Sequence, residues 1–76
     1  MEIPLSQLKE GMVAKIKYLT GGFGLQRKIS ALGIRVGKNV RVVSSYRFGG
    51  PVVIELDGMR MAIGRGVANK IIVEEQ

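Results

Sequence analysis

Asp57-Gly58 lies between two short runs with alternating apolar residues, Val52-Val53-Ile54-Glu55-Leu56 and Met59-Arg60-Met61-Ala62-Ile63. A two-residue connection of this kind takes positive φ at both positions and matches the right-handed twist of its flanking strands, so it predicts a β-hairpin with a type I′ turn. Counting outward from the turn fixes the register: Leu56 faces Met59, Ile54 faces Met61 and Val52 faces Ile63. Six apolar side chains then share one face, and Glu55 meets Arg60 on the other. Met59 and Met61 are expected in the core beside Leu56 and Ile54, as packing rather than as metal ligands.

The rest of the chain repeats the rhythm of short strand and turn. Pro4 to Leu8 reads as a turn or single helical turn, with Leu5 and Leu8 on one side. Residues 12 to 19 alternate, which predicts a strand with Ala14, Ile16 and Tyr18 inward and Lys15 and Lys17 outward. After Gly21-Gly22-Phe23-Gly24, the spacing of Leu25, Ile29 and Leu32 marks one face of a helix of about two turns. Gly33 ends it in the left-handed conformation, placing Ile34 against Ile29. Residues 39 to 47 form a further strand with Val40 and Val42 inward and Arg41 and Arg47 outward, residues 64 to 70 a tight helical turn, and Ile71-Ile72-Val73 a closing strand. Five short strands and one helix make an all-β domain spanning residues 1–76. A barrel is expected, because so small a chain has little else with which to cover two open sheet edges.

The 76 residues include no cysteine and no histidine, so disulfides and the imidazole and thiolate ligand sets are excluded and the core holds by packing alone. Asp57 is used by its turn and Glu55 by its cross-strand neighbour, and the other acids lie near the chain ends or in a loop. No constellation for acid–base or nucleophilic work results, and no enzyme, cofactor or metal site is expected. The glycine loop before the helix lacks the G-x-x-x-x-G-K-[ST] pattern of a phosphate loop, which leaves those glycines a conformational role. The start of the chain has no cationic segment followed by an apolar stretch, and no apolar run reaches the length a membrane span requires, so a soluble protein is expected.

The net charge is +6 and unevenly distributed. Between Glu10 and Glu55 there is no acid, while Lys15, Lys17, Arg27, Lys28, Arg35, Lys38, Arg41 and Arg47 all fall in that stretch. A positive face follows, suited to an acidic protein, a nucleic acid or an anionic surface.

Several segments in order carry a family resemblance: Pro4-Leu5-Ser6-Gln7-Leu8-Lys9-Glu10-Gly11, Gly21-Gly22, Arg27-Lys28-Ile29-Ser30-Ala31-Leu32-Gly33-Ile34 with Gly37, Gly49-Gly50-Pro51-Val52-Val53-Ile54, and Met61-Ala62-Ile63 through Ala68, Ile71 and Val73. The chain resembles the FeoA family over nearly its whole length. It departs at Val36, where the family usually has proline, and at Gly64, where a basic residue often stands and Arg65 is the neighbour. The resemblance implies a small SH3-like barrel, a cytoplasmic location and an accessory role in ferrous iron uptake beside FeoB, a membrane permease with a cytoplasmic GTPase domain. A chain without histidine or cysteine is poorly equipped to carry the iron itself.

On this reading Arg27, Lys28, Arg41 and Arg47 form the docking face for the permease. Arg65 or Arg27 is a candidate arginine finger for its GTPase. Phe23 and Phe48, in glycine loops, are the two aromatics that would serve a nucleic acid, the alternative being an RNA-binding barrel module; they are expected to fold over the barrel ends, and no specific nucleic-acid binding is expected. Val13, Leu19 and Val43, away from the main core by alternation, are the candidates for a weak homo-oligomer contact, or else pack beneath the helix.

Overall fold

The structure, a computed structural model, describes residues 1–46 and 49–76. The strands are β1 (Glu2–Pro4), β2 (Val13–Leu19), β3 (Asn39–Ser45), β4 (Val52–Leu56), β5 (Met59–Ile63) and β6 (Ile71–Glu75). A 3₁₀ turn covers Leu5–Gln7, helix α1 spans Phe23–Ala31, and a single helical turn, α2, spans Arg65–Ala68. All strand pairings are antiparallel, in the order β1-β6-β2-β3-β4-β5. The number of strands is six among the described residues rather than five. The sixth, β1, is too short for alternation to reveal, and it exists because Ile3 and Pro4 find partners in Val73 and Ile72 at the other end of the chain.

The hairpin has the register that counting from Asp57-Gly58 predicts, with Leu56 opposite Met59, Ile54 opposite Met61 and Val52 opposite Ile63. Both turn residues have positive φ, Asp57 at 52° and Gly58 at 78°. Asp57→Val is therefore expected to destabilise the protein by about 1–3 kcal/mol, since a β-branched residue is strained at that φ. Asp57→Asn, which tolerates the conformation, should stay within about 0.5 kcal/mol. Urea midpoints of the two variants check this, and equal midpoints would mean that the turn is not formed as described.

Two irregularities bend the sheet. The β2–β6 register shifts between Ile16 and Tyr18, and the β3–β4 register shifts between Val42 and Ser44, leaving Lys17 and Val43 as the extra residues. An inserted residue kinks its strand, raises the local twist and reverses the parity of whatever follows. That reversal corrects the strict alternation expected from sequence. Tyr18, placed inward by counting, is exposed, whereas Leu19, placed outward, packs on the core. Val43 is half-buried, and only Val13 of the three proposed self-association residues is exposed.

The core gathers Leu5, Leu8, Ala14, Ile16, Ile29, Ile34, Val40, Val42, Val52, Ile54, Leu56, Ile63, Ala68, Ile71 and Val73. Met59 does not belong to it. It is 66 % exposed at the start of β5, the edge strand of the sheet, although Leu56 opposite it is buried, while Met61, two residues on, is half-buried against the core. Leu32 is likewise exposed, since the helix stops at Ala31 and Gly33, at φ 88°, redirects the chain so that Ile34 enters the core instead.

β1 and β5 do not pair with each other; the 3₁₀ turn and α2 come together at the barrel seam. Ser6 Oγ donates to Asn69 Oδ1 across it. Arg65 Nη1 donates to the Ser6 carbonyl at 3.3 Å, while Nη2 donates to Ser45 Oγ at 3.3 Å and to the Tyr46 carbonyl at 2.6 Å. One guanidinium thus ties α2, the 3₁₀ turn and the end of β3 together.

Candidate docking face

Helix α1 starts at Gly22 as N-cap and carries no acid in its first turn. Leu25 and Ile29 turn inward and leave an exposed outer arc. Phe23, at the first helical position, is 85 % exposed. It does not fold over a barrel end as the sequence reading had it, because its neighbours Gly22 and Gly24 have no side chains and α1 points the ring away from the core. A phenyl ring left in water is unusual for a stretch this polar, and exposed aromatic side chains beside cations are a feature of binding surfaces.

Arg27 and Lys28 lie on this arc, both exposed. Four cations elsewhere are spoken for: Lys17 by Glu74 at 3.6 Å, Lys38 by Asp57, Arg41 by Glu55 at 2.8 Å, and Arg60 by Glu55 at 3.5 Å. Such exposed pairs each contribute about 1 kcal/mol or less, but they cancel charge locally. Among the described residues Arg27, Lys28 and Arg35 form no ion pair and no side-chain hydrogen bond; the same holds of Lys9, Lys15 and Lys70 elsewhere on the surface, and what sets the α1 cations apart is the exposed Phe23 on the same helix. Leu32, the C-cap of α1, is also exposed, and Val36, exposed too, lines a small cleft with Lys15, Ile16, Lys17 and Gly37.

The structure therefore divides the sequence-derived candidates. Arg27, Lys28 and Phe23 share α1. Arg41 is committed to Glu55, and Arg65 to two carbonyls and a hydroxyl, an arrangement that holds a guanidinium in place rather than offering it to a partner. Arg47 and Phe48 lie outside the described residues. Arg35 belongs with the α1 cations although sequence reasoning did not select it; its position two residues after Gly33, within the acid-free stretch, was the available signal.

An open cleft of about 410 Å³ lies between the 3₁₀ turn and the end of β3, lined by Ser6, Gln7, Leu8, Lys9, Glu10, Ser45, Tyr46 and Arg65. Nη1 and Nη2 of Arg65 donate to the walls of that cleft, while its buried Nε has no partner among the described residues. Among the described residues no three acidic side chains gather in one place, and no helix is long and apolar enough to cross a membrane.

The FeoA domain model matches residues 3–75. This chain belongs to the FeoA domain family. The FeoA chain is 38 % identical over 72 residues to a protein of Methanocaldococcus jannaschii named "Putative Fe(2+) transport protein A", a match covering 95 % of this chain and 85 % of the relative. It superposes on the crystal structure of an iron uptake regulatory protein, FeoA, with a TM-score of 0.93 at 30 % identity, each chain covered completely. A manganese-dependent transcriptional repressor shares the fold over 42 % of its length, with a TM-score of 0.89 at 18 % identity. The architecture of this FeoA chain is the SH3-like barrel with one short helix. Of its two departures from the family pattern, Val36 is exposed and lines a cleft with Lys15 and Lys17, and Gly64 is the N-cap of α2.

Proposed function

We propose that this chain is a non-catalytic accessory protein of ferrous iron transport that works by docking, through the outer face of α1, on the cytoplasmic GTPase domain of an FeoB-type permease. Membership of the FeoA family, with a relative named for Fe(2+) transport, supports the process. The observation that carries the docking face is the exposed ring of Phe23 on the same helix face as the unpaired cations Arg27 and Lys28. The chain's lack of histidine and cysteine favours a partner role over carriage of the metal.

Amide chemical shifts of labelled protein, titrated with the GTPase domain in its GDP and GTP-analogue states at moderate salt, test the reading. Saturable shifts clustered on α1 are expected. Arg27→Glu combined with Lys28→Glu should weaken binding at least tenfold while leaving the fold intact, since both side chains are exposed and unpaired. Unchanged affinity in the double variant would remove α1 as the docking face, and no binding in either nucleotide state would remove the GTPase domain as the partner.

A further inference from the structure

Stepping about 100° per residue around α1 orders its exposed positions as Phe23, Arg27, Ala31, Gly24, Lys28 and Leu32 over roughly half the circumference. The centre of the arc is the line from Gly24 to Ala31, seven residues apart and therefore almost directly above one another. A Cβ built on Gly24 meets nothing within 4 Å, so the space above the line is open. Arg27 flanks it on one side and Lys28 on the other, with Phe23 and Leu32 at the outer margins.

We infer that the element received on this arc is an acidic helix of the partner, lying along the Gly24–Ala31 line with its carboxylates held between Arg27 and Lys28. This deepens the docking reading and rests on it. The charge argument carries it: cations without counter-charges stand on both sides of a shallow trough, in a stretch from residue 11 to residue 54 that contains no acid. Small residues at the trough let two helix axes approach to the close end of the 8–10 Å range. A bilayer would gain charge attraction but find no apolar side chain at the centre to take in, and Phe23 stands at the margin, where it cannot stack a base between the two cations.

Gly24→Gln and Ala31→Gln place bulk on the trough without altering charge. Glutamine is the better helix former at position 24, so Gly24→Gln should raise the melting temperature of the protein. It should nevertheless weaken binding to the GTPase domain at least tenfold, and Ala31→Gln should do the same with little change in melting temperature. Stability rising while affinity falls is an outcome that a purely structural role for Gly24 does not produce. If both variants bind within twofold of the native protein, the trough is not the contact, although docking through the surrounding cations survives. If the native protein does not bind the GTPase domain or the full-length permease, the docking reading falls and this inference with it. Tighter binding to phosphatidylserine-containing vesicles or to polyuridine than to the permease, lost on Arg27→Glu, would overturn it in favour of those ligands.

Discussion

Ile54→Ala should destabilise the protein by about 3–4 kcal/mol, the largest effect expected of any single substitution here. Ile54 is fully buried in the middle of β4, opposite Met61 on one side and Val42 on the other. Losing three buried carbons forfeits their transfer free energy and adds the penalty of a cavity, and isoleucine-to-alanine changes in such places fall at about 2–5 kcal/mol. A domain of this length has of order 4–11 kcal/mol in total. The melting temperature should fall by roughly 12–30 °C, at about 4–8 °C per kcal/mol for a chain this small. Met59→Ala is the control. It lies on the nominally inward face of the same hairpin, yet should change stability by less than about 0.5 kcal/mol because the side chain is mostly in water. Similar losses for the two would mean that β5 packs more deeply than described.

Arg65→Met should cost about 2–3 kcal/mol, although the side chain is neither in the apolar core nor paired with an acid. Methionine keeps much of the length and removes every donor, so the Ser6 and Tyr46 carbonyls and the Ser45 hydroxyl lose their common partner. Hydrogen bonds from a charged group are worth about 1.5–3 kcal/mol each in favourable settings, and partial exposure to water puts the sum near the value of one good bond. Arg65→Lys should recover little, because one ammonium cannot span three acceptors that a planar fork reaches. Native-state hydrogen exchange gives the decisive reading: the amides of Leu8 and Ala68, at the two sides of the seam, should exchange faster in Arg65→Met while those of Ile54 and Val42 keep the protection of the whole fold. Uniformly faster exchange would mean that Arg65 stabilises the barrel as a whole rather than its seam.

What could be read from sequence and what could not divide along the distance between interacting residues. Asp57-Gly58 specifies its hairpin within the twelve residues from Val52 to Ile63, and the register followed by counting. Gly33 and the spacing of Leu25 and Ile29 specify the helix in the same local way. The bulges at Lys17 and Val43 are chosen by how β2 meets β6 and how β3 meets β4, so nothing near them announces that the parity of Tyr18 and Leu19 will reverse. Arg65 was a plausible docking group because its ligands lie 59 and about 20 residues away and two are backbone carbonyls, which leave no trace in side-chain patterns. Of the docking face, the charge asymmetry and Arg27 and Lys28 were visible early. The exposure of Phe23 was not, since whether an aromatic between glycines turns inward depends on how the helix sits on the barrel.

The order of strands has a consequence for synthesis. β6, which follows the other five strands in the chain and so leaves the ribosome after them, lies between β1 and β2 and is the sole ladder partner of β1. Until Ile71–Glu75 emerges, Ile3 has no strand to lie against and the inner edge of β2 is bare, whereas β3, β4 and β5 can already assemble as a meander. During synthesis β1 is therefore expected to join the sheet only when β6 pairs with the free edge of β2, since β1 has no other strand partner. A nascent chain arrested before residue 71 should present the bare edge of β2 to whatever strand is nearby, which makes timely emergence of β6, as much as composition, a determinant of whether nascent chains associate through that edge.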